Sequence, residues 1–223
     1  MTKRVLFFDV ARALSILWIV CVWHPIDYIS WEWEWAFRYV TVDITLIALA
    51  CFTFISGFFL GKKKISALTF YKNRTRRFLL PLFFSALCQS VIGWFNSIWQ
   101  FIFTITGLSC FILPQPGTLW YMAMLIIFYA LTPPLLYNLE DKRWKIIVRA
   151  GVIYIIFFIL YKLGYCDERM LMYFPFYVAG MYFTMDKIIK YVTSTRMLVS
   201  SMCIFTVTYI LSMAYKVGGG QWQ

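Results

Sequence analysis

The chain has 223 residues, of which 62% are apolar, 21% aromatic and only 14% charged. Several apolar runs approach or exceed about 18 residues, which excludes a soluble globular fold and reads as an all-α polytopic membrane protein forming one membrane-embedded domain over residues 1–223. A net charge of +11 would suit nucleic acid, but in such a protein the surplus belongs to inner loops, so no nucleic-acid partner is expected and membrane lipids are.

The first predicted span, roughly 5–27, organises the rest. It opens polar with Lys3, Arg4, Asp9 and Arg12, runs apolar from Ala13 to Trp23, and ends on His24, the only histidine, followed by Pro25. The apolar run is long and lacks a small-residue cleavage site, so it reads as a retained span rather than a secretory signal. Val5 to Trp23 makes about 28 Å of helix, close to the bilayer core. Arg12 and His24 lie about 18 Å apart along that helix and cannot touch. Such a pair suits two ends of one long ligand, or two ends of a path through the membrane. The plainer alternative makes Asp9 and Arg12 an i,i+3 ion pair and His24 an interfacial residue. Ionisable groups inside a span are costly, and histidine titrates near neutral pH, which keeps the functional reading open.

Further spans are predicted at roughly 40–60, 78–96, 118–138, 145–162, 170–186 and 197–215, about seven in all. With the N-terminus inside, the inner segments carry 17 of the 21 basic residues, and only Arg38, Lys162, Arg169 and Lys216 lie outside. Ile98 to Leu113 is apolar but only 16 residues long with Gly107 inside it. An eighth span there would move Lys142, Arg143 and Lys145 outside, so it reads as a re-entrant or interfacial outer helix. The outer segment Ser30 to Arg38 carries Trp31, Trp33 and Trp35, an interfacial belt or, less simply, a hood over a site.

The second span has Asp43 near its outer end and Ser56-Gly57 near its inner end, where Gly57 permits close approach of another backbone. The basic loop Gly61 to Arg77 follows, with seven basic residues and no acid in 17 positions. That exceeds what topology requires, and Arg74, Arg76 and Arg77 are candidates for phosphate contacts, arginine being the preferred bidentate partner. An inner loop lying on anionic lipid is the plain alternative. Pro81, Pro133, Pro134 and Pro175 fall inside spans and are expected to kink or interrupt them. Trp120-Tyr121 opens the fourth span as a belt pair, and Asp167, Glu168 and Arg169 read as a solvated outer turn. The six cysteines are scattered without metal-ligand spacing and read as small apolar residues, so no metal is expected.

Four features in order resemble acyltransferase family 3, the membrane O-acyltransferases of surface polysaccharides. They are the opening Arg4, Asp9, Arg12 running to His24; FTFISGFFL over Phe52 to Leu60; FYKNRTRRFLLPLFF over Phe70 to Phe84; and LWYMAMLIIFYALTPPL over Leu119 to Leu135. Together they cover the N-terminal two-thirds of the chain. The resemblance implies transfer of an acyl group, acetyl in the first instance, from cytoplasmic acyl-CoA to a hydroxyl of an extracytoplasmic glycan or lipid-linked sugar, in a bacterial plasma membrane with the N-terminus cytoplasmic. Acetyl-CoA is then a donor substrate, and no bound cofactor is implied. His24 takes the catalytic role, as general base or acyl carrier, with Asp43 as its orienting partner. Arg12, Asp9, Arg74, Arg76, Arg77, Ser56 and Trp120 bind donor or acceptor.

Two departures bear on this. The family usually has one residue fewer between the arginine and the histidine than the eleven found here. In a regular helix the extra residue moves the pair from about 20° to about 120° apart, and a helical bulge would restore the face. The family fold also has about ten spans against about seven here, which reads as a bundle truncated at its C-terminus or a homodimer covering the open faces. The acidic residue that some members carry in the tryptophan-led helix is absent, with Leu125 in its place. A transporter or channel lined by Asp9, Arg12, His24 and Asp43, and a non-catalytic truncated homologue, are the competing readings.

The charge distribution makes one prediction directly. A cysteine replacing Lys63 should resist an impermeant maleimide in intact cells and react after permeabilisation; labelling in intact cells would reverse the orientation.

Overall fold

The computed structural model describes residues 6–23, 34–61, 66–91, 93, 95, 97–112, 119–139, 142–184, 188, 194–196 and 199–200. The chain divides into two units, Met1–Tyr182 and Phe183–Gln223. In the second, Ile188 N–H donates to the Thr184 carbonyl at 3.0 Å, a helical turn. The predicted seventh span lies almost wholly outside the described residues, as do His24 and the tryptophans at 31 and 33.

In the first unit α1 covers Leu6–Trp18 and passes into a π-helical turn, Ile19–Trp23. There follow α2, Glu34–Leu60; α3, Ala67–Val91; α4, Ile98–Thr106; a 3₁₀ turn, Leu108–Cys110; α5, Trp120–Leu136; α6, Trp144–Lys162; and α7, Glu168–Tyr182. Among the described residues, Thr41–Leu60 and Trp144–Lys162 are long and apolar enough to cross a membrane, and α5 is apolar but shorter. The other predicted spans fall short for identifiable reasons. The α-helical part of α1 stops at 13 residues where the π-turn begins, α3 carries Lys72 and the arginines in its first half, and α7 opens on Glu168 and Arg169.

The basic segment is less of a loop than its charge suggested. Helix α3 begins at Ala67, so Arg74, Arg76 and Arg77 sit on a helix. Lysine, arginine and leucine are good helix formers, and Ser66 caps the start, its Oγ accepting from Thr69 N–H at 3.4 Å. The segment after it is α4, nine residues and about 13 Å long, too short to cross a bilayer. Ser97 caps its start, and Gly107 ends it at φ 81°, a left-handed conformation open to glycine.

The core forms where α2 crosses α7. A Cβ at Gly57 would lie 2.1 Å from the Tyr177 carbonyl oxygen, and one at Gly180 would lie 2.0 Å from that of Phe54. The two backbones touch, as small residues permit between membrane helices. Around this crossing α5 is buried along Ala123, Met124, Leu125, Phe128, Thr132 and Leu135. By contrast α6 exposes Ile147, Val148, Val152, Ile155, Ile156 and Ile159, a face suited to lipid.

Two arginines hold helix ends. Arg149 Nη1 donates to the carbonyls of Pro134 (3.3 Å), Leu135 (3.2 Å) and Tyr137 at the end of α5. Arg143 Nη1 does the same for Met181 (3.2 Å) and Tyr182 (3.1 Å) at the end of α7. Terminal carbonyls lack intrahelical donors, and a guanidinium satisfies them while complementing the helix dipole. None of Pro81, Pro133, Pro134 and Pro175 interrupts its helix.

Gly57→Ala and Gly180→Ala should each destabilise the protein by about 3 kcal/mol or more, because backbone rather than a movable side chain meets the new methyl. Gly151→Ala, where a Cβ meets nothing within 4 Å, should stabilise α6 by about 0.5–1 kcal/mol. Thermal unfolding in detergent would measure both; a benign Gly57→Ala would refute the contact.

Candidate functional site

The register between α1 and α2 sets the site. The Phe8 ring lies 4.8 Å from that of Phe58, and Trp18 Nε1 donates to Thr45 Oγ1 at 3.0 Å. As numbers rise along α1 they fall along α2, so the helices run antiparallel. Between these contacts the Arg12 guanidinium lies 5.4 Å from the centre of Phe52 and 5.2 Å from that of Phe59. A desolvated cation against an aromatic face gains about 2 kcal/mol, which offsets part of the cost of its burial.

Phe52, Ser56 and Phe59 follow an i, i+4, i+7 spacing and share one face of α2. Arg12 Nε and Ser56 Oγ are both buried without a hydrogen-bond partner. Buried polar atoms in folded proteins are nearly always satisfied, so two orphans on one interhelical seam make it the candidate site. Asp9, half-buried, precedes Arg12 by three positions and so shares its side of α1.

The π-turn at Ile19–Trp23 falls between Arg12 and the position of His24. A π-turn takes up one residue more than an α-turn, the surplus counted between Arg12 and His24. The bulge expected from the spacing is therefore present in the backbone that precedes His24, which itself lies outside the described residues. Asp43 is half-buried on α2, two positions beyond Thr45 toward the end that faces the π-turn.

A seam of rings runs from this cleft through the bundle. Tyr121 on α5 meets the edge of Phe52 at 6.3 Å, and its hydroxyl lies 2.8 Å from Thr53 Oγ1 and 3.2 Å from the Leu49 carbonyl. Trp120 and Tyr121 lie 5.9 and 6.2 Å from Tyr173 on α7. The Tyr173 hydroxyl is a third buried group without a partner. Deeper along α5, Tyr177 shares a hydrogen bond with Thr132, and the Arg74 guanidinium covers Tyr129 at 5.4 Å. Arg74 thus packs against the bundle rather than standing free of it. Arg76 and Arg77 occupy the same helix, and their side chains are outside the described residues.

The turn at 167–169 is built rather than merely solvated. Asp167 Oδ1 accepts from Arg169 Nε at 2.8 Å and Oδ2 accepts from Nη2 at 2.7 Å. So held, the Arg169 guanidinium lies 4.4 Å over Trp120. Trp120 packs inward on Tyr173 and Tyr121 under this lid instead of forming a simple belt with its neighbour. Sequence reading missed Arg169, Tyr173 and Thr53. The one available signal was Asp167 two residues before Arg169, a spacing that permits a bidentate pair but does not require one.

The acyltransferase-domain family profile matches residues 5–222. The chain belongs to acyltransferase family 3. No curated protein and no solved structure matches it. Family membership supports acyl transfer as the activity, and it extends past the two-thirds of the chain that carry the quoted motifs. Members are typically membrane-embedded, in keeping with the lengths of α2 and α6. The seam between α1 and α2 then holds Arg12 of the opening motif.

Ser56→Ala tests whether the orphan hydroxyl is structural. With no partner to lose, the variant should melt at or slightly above the wild-type temperature; a loss beyond about 2 kcal/mol would reveal a bond that Ser56 makes.

Proposed function

We propose that this acyltransferase moves an acyl group, acetyl in the first instance, from acyl-CoA on the inner side of the membrane to a hydroxyl of a glycan or lipid-linked sugar on the outer side. The observation that carries this reading is the α1–α2 seam where Arg12, against Phe52 and Phe59, leaves its Nε unpartnered, on the helix face that also carries the unpartnered Ser56 hydroxyl. A buried cation with an open donor and a nearby hydroxyl suits an anionic, hydrogen-bonding ligand. Asp9, on the same side of α1, orients the guanidinium. Arg74, with Arg76 and Arg77 on the same helix, supplies further cations for the donor's phosphates.

From Arg12 the pantetheine arm runs outward along α1 for about 18 Å to His24. The π-turn supports this path, because it compensates the extra residue in the spacing. His24 either takes the proton of the acceptor hydroxyl as it attacks the thioester carbonyl, or carries the acyl group itself. In both routes the thioester C–S bond breaks, the CoA thiol leaves protonated, and an ester forms on the sugar. Asp43 orients the imidazole, and Trp120, held between Arg169 and Tyr173, lines the acceptor end.

Transfer of label from radiolabelled acetyl-CoA to membrane glycan tests the reading. His24→Ala should abolish transfer in protein that still folds, and His24→Gln should not restore it, since an amide takes up no proton. Arg74→Ala, Arg76→Ala, Arg77→Ala and Ser56→Ala should weaken donor binding more than turnover. Transfer persisting near the wild-type rate in His24→Ala would end the proposal. Binding without transfer in the wild type would identify a non-catalytic homologue, and solute flux without binding a transporter.

A further inference from the structure

The five described cysteines are free thiols in the structure; Cys21, Cys51 and Cys88 are exposed on helices, while Cys110 and Cys166 are buried and Cys166 Sγ donates to the Asp167 carbonyl at 3.6 Å. These two lie far apart in sequence, yet the fold joins their segments. Asp167 N–H donates to the Cys110 carbonyl at 3.0 Å. Bond geometry then holds the Cα atoms of Cys110 and Cys166 within roughly 7 Å, at the range of about 4.4–6.8 Å that disulfides span. Both side chains join the same buried apolar cluster, at 2% and 6% exposure. Both segments also lie at one end of the bundle: the 3₁₀ turn precedes α5, and the Cys166 turn links α6 to α7. In the orientation read from the charges that end faces outward, where disulfides persist.

We propose that Cys110 and Cys166 form a disulfide that ties the 3₁₀ turn after α4 to the turn between α6 and α7. The bond closes the outer end of the bundle beside Trp120 and the Asp167–Arg169 lid, on the face where the proposed acceptor enters. Its oxidant is a disulfide-bearing protein thiol oxidant of the outer compartment. One cysteine thiolate attacks the oxidant's disulfide, the second displaces the resulting mixed disulfide, both thiol protons pass to solvent, and the oxidant leaves as its dithiol. Burial, reinforced by Asp167, pushes the folded thiols up, Cys110 to about 12 and Cys166 to about 11. Thiolates are then scarce in the folded protein, so the exchange belongs to assembly, before these turns close, and the finished bond is shielded from reductant.

This inference rests on the outward placement of the two turns, and its test separates the two claims. Membranes carrying the full chain are acid-quenched, denatured without reductant and treated with maleimide-PEG. The chain has six cysteines, and two fewer should react than after reduction. The difference should vanish in Cys110→Ser and in Cys166→Ser and persist in Cys51→Ser. Peptide mapping should recover the two segments linked and lighter by two hydrogens. Equal labelling with and without reductant overturns the disulfide. Orientation is read independently from Leu163→Cys, in the same exposed turn, placed in the double Cys110→Ser, Cys166→Ser background. If an impermeant maleimide labels Leu163→Cys in intact cells while wild-type labelling is unaffected by reductant, the orientation stands and the disulfide falls. If labelling requires permeabilisation, both fall.

Discussion

Contact between two helix backbones underlies the rest of the fold. Where α2 meets α7, Gly57 and Gly180 let each chain lie against the other's carbonyls, closer than any side chain would allow. Apolar burial offers little drive between helices surrounded by lipid, so packing and hydrogen bonds have to supply specificity. The close crossing does so, and it fixes more than itself. One side of α2 is committed to α7, and α1 packs on α2 through Phe8, Arg12 and Trp18. The ring seam of α5 and α7 then falls beside that cleft, with Tyr121 joining them through Thr53 and Leu49.

Arginine is the second recurring theme. Arg143 and Arg149 satisfy carbonyls at helix ends, Arg169 is clamped by Asp167 over Trp120, and Arg12 and Arg74 lie against aromatic rings. A planar cation with five donors can bond at its edge and stack on its face at once, which a lysine cannot. These roles divide the basic residues into two populations. Arg143 and Arg149 donate to carbonyls at helix ends and read as structural. Arg12 retains an unpartnered Nε, and that difference, not its charge, is what the proposed donor site rests on.

The π-turn links sequence spacing to geometry. An extra residue between Arg12 and the histidine position would rotate everything beyond it out of phase in a regular helix, by about 100°. A five-residue π-turn at Ile19–Trp23 absorbs such a surplus without ending the helix, at the cost of poorer hydrogen-bond geometry. The chain thus departs from the family's usual count while retaining a local means of keeping the face.

Composition and hydropathy by themselves determined the helical class, and four ordered motifs pointed to the family, because each depends on the chemistry of a continuous stretch. The opening motif, the glycine fit for close approach and the arginine-rich start of the third helix were legible for the same reason. Position along the chain could not reveal partners distant in sequence. That Arg74 covers Tyr129, that Trp120 sits beneath Arg169, and that Cys110 meets the turn after Cys166 were decided by how α3, α5 and α7 pack and by the short connections between helices. Charge read alone made 167–169 a solvated turn and 61–77 a loop. A local ion pair clamped the first over Trp120 and helix propensity carried most of the second into α3, since local residue type sets what a segment can do and its neighbours select among the options.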